Sequence, residues 1–211
     1  MPFSLLFLAT IISLSDSTAW KIISFEKVKS NEITFNEAGL RIEVEESASP
    51  LLYLFPERKQ VRNLRVTGRV SGGWKFAAGD SWKDGPDDAL LRFGLIENGT
   101  KRLNALERIA APDWIKELES RASTTADGIG RIHCFHVMPG RQWIGETRKN
   151  PNVSIFEETI SAAPEDDGRF ELSVVLDTPM ETVGLWLLAD GDDSEASFIV
   201  EIENIEIGLA P

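Results

Sequence analysis

The stretch Leu40-Arg-Ile-Glu-Val-Glu45 alternates strictly between apolar and charged residues. Successive side chains of a β-strand point to opposite faces of the sheet, so Leu40, Ile42 and Val44 are predicted to face a core while the charged residues face water. A strand with one dry and one wet face is typical of an antiparallel sheet. This pattern therefore indicates a β fold.

Ten further runs are rich in Val, Ile, Leu and Phe, are bounded by Gly, Pro, Asn or Asp, and indicate more strands. They lie at 21–25, 32–35, 51–55, 64–70, 90–96, 132–137, 153–160, 170–176, 183–189 and 198–207.

One of these runs is apolar at both alternating sets of positions. The side chains of Val183, Leu185 and Leu187 are predicted to face one way, with Trp186 and Leu188 facing the other. Such a run indicates a central strand whose two faces are both covered.

Residues 111–122 carry the one helical pattern. Pro112 suits the first turn of a helix, and Trp114, Ile115 and Leu118 form an apolar stripe at helical spacing. The chain is therefore predicted to contain one short helix inserted among its strands.

The chain has 211 residues, 42% hydrophobic and 27% charged, as in an ordinary globular protein. No linker or internal repeat divides it, and the lone Cys134 excludes an internal disulfide. About 190 residues can bury a sufficient core without one. We predict an all-β fold with a single domain over residues 20–211, a jelly-roll-like sandwich of two antiparallel sheets with the inserted helix.

Residues 1–19 are predicted to be a secretory signal peptide. An apolar run spans Leu5 to Leu14, and Ser17-Thr18-Ala19 matches a small-residue cleavage pattern. Such a peptide would direct export to the periplasm or the extracellular space. Cleavage after Ala19 would leave a mature chain that is predicted to have no membrane span. The alternative is a buried N-terminal strand.

The charge balance excludes two classes of partner. Thirty-four Asp and Glu residues outnumber 22 Lys and Arg residues, giving a formal net charge of −12. Nucleic acids and anionic lipid surfaces both require a positively charged binding face.

Three stretches carry a family resemblance: Gly85-Pro-Asp-Asp-Ala-Leu-Leu-Arg-Phe93, Val183-Gly-Leu-Trp-Leu-Leu-Ala-Asp-Gly-Asp-Asp-Ser194 and Ile202-Glu-Asn-Ile-Glu-Ile207. Their order and spacing resemble those of exported bacterial proteins classed as a domain of unknown function, with a jelly-roll fold like that of carbohydrate-binding modules. The resemblance implies this fold and export, and it supplies no reaction.

The loop that starts at Asp190 offers several oxygen ligands within six residues. Asp190, Asp192 and Asp193 make it a candidate Ca²⁺ site, since calcium prefers hard oxygen ligands. Asp87 and Asp88 would join the same ion if their loop met this one. The alternative is an ordinary solvated hairpin turn, which uses the same residue types.

Arg92 lies between Leu91 and Phe93, so it points away from the face that they share. A buried arginine needs a carboxylate partner. One interpretation is an ion pair with Asp88 or Asp190, and the other is a clamp for a carboxylate or sugar ligand.

Trp82 and Trp143 lie in polar or Gly-containing surroundings that predict loops. Loop tryptophans offer flat surfaces on which sugar rings stack. The alternative is that they cover open edges of the core.

Two patterns raise the question of catalysis. Cys134 and His136 share one face of a predicted strand, as a thiolate catalyst and its base would, although an isolated cysteine is more often a small buried apolar residue.

Glu201, Glu203 and Glu206 resemble the Glu-x-Asp-x-x-Glu motif of laminarinase-type glycosidases, in which two carboxylates act as nucleophile and acid/base. The alternative for this run is the wet face of a last strand.

The sequence thus favours an exported, non-catalytic domain that binds a saccharide or another polar ligand of the cell envelope. Trp82, Trp143, Arg92 and Asp88 are the candidate ligand contacts. One alternative is a glycan-processing enzyme that uses residues such as Glu201, Glu206 or His136. Another is a structural or assembly protein of the cell envelope.

Overall fold

The computed structural model of the protein describes residues 8–74, 88–100, 113–122, 128–150 and 155–210. Its strands are β1 (Leu8–Ile11), β2 (Trp20–Ile22), β3 (Glu32–Asn36), β4 (Gly39–Glu45), β5 (Leu51–Gly73), β6 (Ala89–Asn98), β7 (Ile129–Val137), β8 (Thr147–Lys149), β9 (Phe156–Ala162), β10 (Arg169–Asp190) and β11 (Ser197–Leu209). Its helix is α1 (Asp113–Ala122). Within these ranges, no helix has the length and apolar character needed to cross a membrane.

The strands form one hydrogen-bonded sheet in the order β3-β4-β11-β5-β10-β6-β7-β9-β8, with β1 added to β11 and β2 added to β5. The pairings are antiparallel except for β7 with β9, which run parallel. The prediction of an all-β sandwich with one short helix is confirmed, and the wholly antiparallel arrangement is corrected at this one pairing.

The sandwich has two layers: β3, β4 and β11 belong to the first, and β6, β7, β9 and β8 belong to the second. β5 and β10 lie between these groups in the strand order and run through both layers. Residues 61–73 of β5 pair with β11 in the first layer, whereas residues 51–54 pair with β2 or β10 in the second layer. Residues 55–58 make no ladder pair with another described strand, and Pro56 has no N–H to donate there. β10 shifts register twice between Val175 and Gly184. Such irregularities bend strands, which allows one open sheet to fold over into two layers.

The main core lies between the two layers. Leu40, Ile42 and Val44 are at most 3% exposed and face it as predicted. Phe93 and Leu185 reach it from the second layer. The alternation of single strands therefore identified the core correctly.

A smaller apolar cluster covers the outer face of the second layer. Trp114 and Leu118 of α1 pack there on Trp186 and Phe156, so β10 is covered on both faces, as predicted. Val183 belongs to this outer cluster and not to the main core. The predicted orientation of Val183 was wrong because the register shift between Thr182 and Gly184 reverses the alternation.

The N-terminal segment packs on the rest of the chain. β1 pairs with residues 206–209 of β11, and Ile12 and Leu14 are buried in the main core. Trp20 Nε1 donates a hydrogen bond to the carbonyl of Ser13, at 3.1 Å. These contacts have the form of the alternative, a buried N-terminal strand, and cleavage after Ala19 stays a prediction.

Candidate ligand-binding cavity

A cavity of about 270 Å³ opens on the outer face of the second layer, beside α1. It lies near the point where β6 begins and β10 ends. Its lining residues combine aromatic, acidic and amide side chains with one arginine: Phe25, Val28, Arg92, Trp114, Asn150, Phe156, Trp186, Leu188, Asp190, Asp192 and Asp193.

The aromatic wall consists of three rings from three elements. The rings of Trp114 and Phe156 are stacked, with centroids 5.6 Å apart and an interplanar angle of 5°. The Trp186 ring is tilted against both, with centroids 5.0 Å from Trp114 and 5.8 Å from Phe156. Each ring fixes the next, so the wall is rigid before any ligand arrives.

The polar wall centres on Arg92, which is 3% exposed. Its Nη2 atom lies 3.6 Å from Asp190 Oδ2, and its Nε atom lies 3.8 Å from Glu158 Oε1. The predicted ion pair between Arg92 and Asp190 is therefore present. Both distances exceed normal hydrogen-bond length, so these two contacts are ion pairs and not hydrogen bonds.

Glu158 organises the residues behind this wall. It is 1% exposed, and its carboxylate accepts hydrogen bonds from Arg148 Nε at 2.6 Å and from Asn150 Nδ2 at 3.0 Å. The Nε2 atom of His136 lies 3.7 Å from the same carboxylate. Glu158 thereby sets the position of Asn150 at the cavity and holds Arg92 electrostatically.

His136 and Cys134 are both buried in the uncharged form. Burial, together with the positive charges of Arg92 and Arg148, holds the pKa of His136 well below its ordinary value. Burial raises the pKa of the Cys134 thiol strongly. The shared face predicted for the two residues is consistent with their packing, but neither a thiolate nor an imidazolium ion is favoured there.

Asp88, the one described residue of the first acidic loop, lies beside the loop that starts at Asp190. Asp190 pairs with Ala89 in the ladder, and Asp88 directly precedes Ala89. Asp88, Asp190 and Asp192 place oxygen atoms within 4.8 Å of one another. Asp88 also accepts hydrogen bonds from the backbone N–H groups of Asp193 and Ser194, at 3.3 and 2.6 Å. Burial raises the pKa of Asp88 and, more strongly, that of Asp190.

Buried polar atoms of Asp190 and Trp186, which both line the cavity, lack a hydrogen-bond partner among the described residues. They are Oδ1 of Asp190, which is 5% exposed, and Nε1 of Trp186, which is 1% exposed. Leaving such an atom unsatisfied costs about 1–3 kcal/mol, so buried polar groups normally have a partner. An acceptor and a donor at one cavity are what a polar ligand would satisfy.

The structure does not bring all the predicted ligand contacts to this cavity. Trp143 is half-buried and packs on the small cluster of Ala89, Met138 and Ile160, which is the alternative given for it. Asp88 supports the 190–195 loop and does not line the cavity. Trp82 and Asp87 lie outside the described residues.

The candidate catalytic carboxylates are far apart. Glu201 is half-exposed on β11 and pairs with Arg41 at 3.1 Å. Glu206 lies five residues further along the same strand. At about 3.3 Å per residue the two are about 16 Å apart, beyond the roughly 5–9.5 Å that separates paired glycosidase carboxylates. The exposed face of β11 therefore does not assemble this pair.

Sequence reasoning missed Asn150 and Glu158 and treated Trp114 only as core. A signal for Glu158 exists, because β9 alternates between buried and half-buried positions and Glu158 occupies a buried one between Phe156 and Ile160. A carboxylate at a dry position of a strand needs a buried partner. No such signal marks Asn150, which precedes the undescribed residues 151–154.

No protein-family model matches the chain, and no curated protein matches it. Among solved structures, it is similar to a family 11 carbohydrate-binding module of a cellulosomal cellulase of Clostridium thermocellum, with 9% identity, a TM-score of 0.48 and coverage of 97% of this chain and 96% of that chain. A module of the same family and organism, in complex with a β-1,3-1,4-mixed-linked tetrasaccharide, gives 9% identity, a TM-score of 0.46 and 94% coverage of each chain. The xylan-binding module CBM15 gives 9% identity, a TM-score of 0.42 and 97% coverage of each chain.

Proposed function

We propose that the protein is an exported domain that binds a saccharide, or a similar polar ligand, in the cavity beside α1. The observation that carries this proposal is that two residues lining one cavity, Asp190 and Trp186, each have a buried polar atom, Oδ1 and Nε1, without a hydrogen-bond partner among the described residues. A sugar hydroxyl donates and accepts hydrogen bonds, so a single ligand class can satisfy both atoms.

The rest of the lining supports the same ligand class. The aromatic wall offers a rigid apolar surface for the C–H face of a sugar ring, while Arg92 and Asn150 lie in the polar wall. A few polar groups among aromatic side chains are typical of small-molecule sites. The volume of about 270 Å³ suits a ligand of about one sugar ring.

The arrangement favours binding over chemistry. The carboxylate of Glu158 is occupied by Arg148 and Asn150, and that of Asp190 faces Arg92. His136 is fully buried and held in its neutral form. Among the described residues, these groups are arranged to hold one another in position.

The test is a binding titration of a panel of mono- and oligosaccharides, followed by tryptophan fluorescence, on the wild type and two variants. We expect Trp114→Leu to weaken binding at least tenfold, because it removes the ring that stacks on Phe156 and packs against Trp186. Trp143→Leu is the matched control, since Trp143 does not line the cavity. Circular dichroism checks that both variants are folded.

Two results would overturn the proposal. One is the absence of any fluorescence change or thermal stabilisation with the saccharide panel. The other is equal binding by folded Trp114→Leu and Trp143→Leu. Release of reducing sugar from the panel would instead favour the glycan-processing alternative.

A further inference from the structure

The three carboxylates at the end of the cavity are brought together by the strand register. Asp190 is the last residue of β10 and pairs with Ala89, the first residue of β6, so Asp88 is its close neighbour. Asp192 follows in the next turn. Their oxygen atoms lie within 4.8 Å of one another. Two oxygens bound to one Ca²⁺ ion at about 2.3–2.6 Å are at most about 5 Å apart, so these distances fit a shared ion.

Asp190 presents an oxygen atom that the protein itself leaves unsatisfied. The residue is 5% exposed, and no described donor bonds to its Oδ1 atom. Its other oxygen faces Arg92 Nη2 at 3.6 Å, too long for a normal hydrogen bond. The Asp192 carboxyl could bond to it only through a shared proton. This side of Asp190 therefore needs a cation, a proton or a donor from outside the described residues.

The charges of the cluster are unbalanced. Asp88, Asp190, Asp192 and Glu158 supply four carboxylates, and Arg92 and Arg148 supply two guanidinium groups; His136 beside them is held uncharged. When all six charged groups are ionised, two negative charges are in excess among the described residues of this region. Unpaired buried charge is costly, and one divalent cation would neutralise both charges.

The backbone fixes the geometry of this end of the cavity. Asp88 accepts the N–H groups of Asp193 and Ser194, which holds the turn after Asp190 in place. A carboxylate oxygen that accepts one hydrogen bond keeps a further lone pair for an ion. The ligands are thus positioned in advance.

We propose that Asp88, Asp190 and Asp192 bind a divalent cation of the calcium class. Calcium accepts six to eight oxygen ligands in irregular geometry, and the adjoining cavity leaves room for water to complete the set. Magnesium keeps several of its waters and is usually bound through one or two carboxylates, so a set of three carboxylates favours calcium. The site lies at the edge of the proposed saccharide cavity but does not depend on a saccharide.

The test uses the full chain, freed of metal by dialysis against EGTA, with Ca²⁺ and Tb³⁺ as probes. We expect Ca²⁺ to raise the melting temperature, and Tb³⁺ to show tryptophan-sensitised luminescence that Ca²⁺ displaces. Asp192→Asn should fold, because Asp192 is half-exposed, and should lose at least tenfold in Ca²⁺ affinity by calorimetry. Asp190→Asn should lose binding as well.

The matched control is Asp177→Asn, which removes one exposed carboxylate of β10 away from the cluster. It should bind Ca²⁺ as the wild type does. Equal Ca²⁺ affinity of Asp192→Asn and Asp177→Asn would overturn the proposal, and so would the absence of any Ca²⁺ or Tb³⁺ signal with the wild type. Because Trp143→Leu and Trp114→Leu keep the three carboxylates, the Ca²⁺ melting shift and saccharide binding can succeed or fail separately.

Discussion

Arg92 connects two parts of the molecule through its charge. Its guanidinium group lies between Asp190 of β10 and Glu158 of β9, and all three side chains are less than a tenth exposed. A planar guanidinium group can face two carboxylates at once, whereas a lysine ammonium group is a point charge.

We therefore expect Arg92→Lys to lower the free energy of unfolding by about 2–4 kcal/mol, since a lysine ammonium group can face only one of the two carboxylates and leaves the other uncompensated. Urea unfolding followed by fluorescence measures the loss. Arg65→Lys is the control, because Arg65 and Glu171 form a half-exposed pair whose weakening should cost less than about 1 kcal/mol. Equal losses in the two variants would contradict the role assigned to Arg92.

His136 makes stability depend on pH. Its pKa is low in the folded protein and returns to about 6.5 in the unfolded chain, so below that pH the unfolded chain binds the extra proton. His136 therefore lowers the free energy of unfolding only below about pH 6.5. Below that pH, the free energy of unfolding falls by at most about 1.4 kcal/mol per pH unit because of this residue. Burial and the positive charges of Arg92 and Arg148 hold it neutral, although the Glu158 carboxylate lies 3.7 Å from its Nε2 atom.

We expect His136→Gln, if folded, to show a smaller fall in the free energy of unfolding between pH 7 and pH 5 than the wild type. Urea titrations at both pH values measure the two slopes. A slope unchanged by the substitution would show that other groups cause the acid sensitivity.

Cys134 is predicted to be chemically inert in the folded protein. It is 1% exposed and burial raises its pKa, so the reactive thiolate is scarce. Iodoacetamide should leave the native protein unmodified over hours and should alkylate it in denaturant, as read by mass spectrometry. Rapid alkylation of the native protein would revive the thiolate hypothesis.

At the scale of the element, β1 completes the edge of β11. It pairs with residues 206–209, and the following Ile12 and Leu14 fill the main core. A chain that begins at Trp20, as cleavage after Ala19 would produce, lacks these contacts.

We expect the chain of residues 20–211 to be less stable than the full chain by about 3–6 kcal/mol, the value of burying two aliphatic side chains. Urea unfolding of the two purified chains measures the difference. Equal stability would favour the signal-peptide prediction, since the packed segment would then contribute nothing to the folded domain.

The strands were predictable where apolar and polar residues alternate, as in β4, and α1 was predictable from its helical stripe. The sequence did not predict that the runs 51–55 and 64–70 form the single strand β5, because Pro56 indicates a break between them. Their continuity depends on pairing with partner strands on either side of Pro56. The three-residue strand β8 is too short for a periodic signal. Local patterns report local structure, and these features depend on pairing with distant strands.

At the scale of the whole molecule, the cavity combines residues from five described segments that are remote in sequence. The sequence indicated Arg92, Asp190 and Asp192, each of which stands out against its neighbours. It did not indicate Asn150, whose part depends on contact with Glu158. A three-dimensional meeting of this kind leaves no trace in composition or periodicity.

If both proposals hold, the cation and the saccharide affect each other's binding. Asp190 lines the cavity and belongs to the acidic cluster, so a cation that neutralises and orders it should tighten saccharide binding. By linkage, the saccharide must raise Ca²⁺ affinity by the same factor, which we expect to be about 5–150-fold. Calorimetric titration of each ligand with and without the other measures it, and identical affinities would exclude the coupling.

The two strands that cross both layers also bear on how the chain folds. β5 and β10 pair along most of their length although about a hundred residues separate partners such as Arg69 and Arg169. Each layer needs β5 and β10 to complete its hydrogen bonds, and both strands also belong to the other layer. The two layers therefore cannot fold as separate units. The chain loses conformational entropy when it closes such long loops, and it does so before the stabilising contacts form, which makes folding slow. The chain should therefore acquire its structure late and all at once, and it would depend during synthesis on having most of its length released before the central pairing can begin.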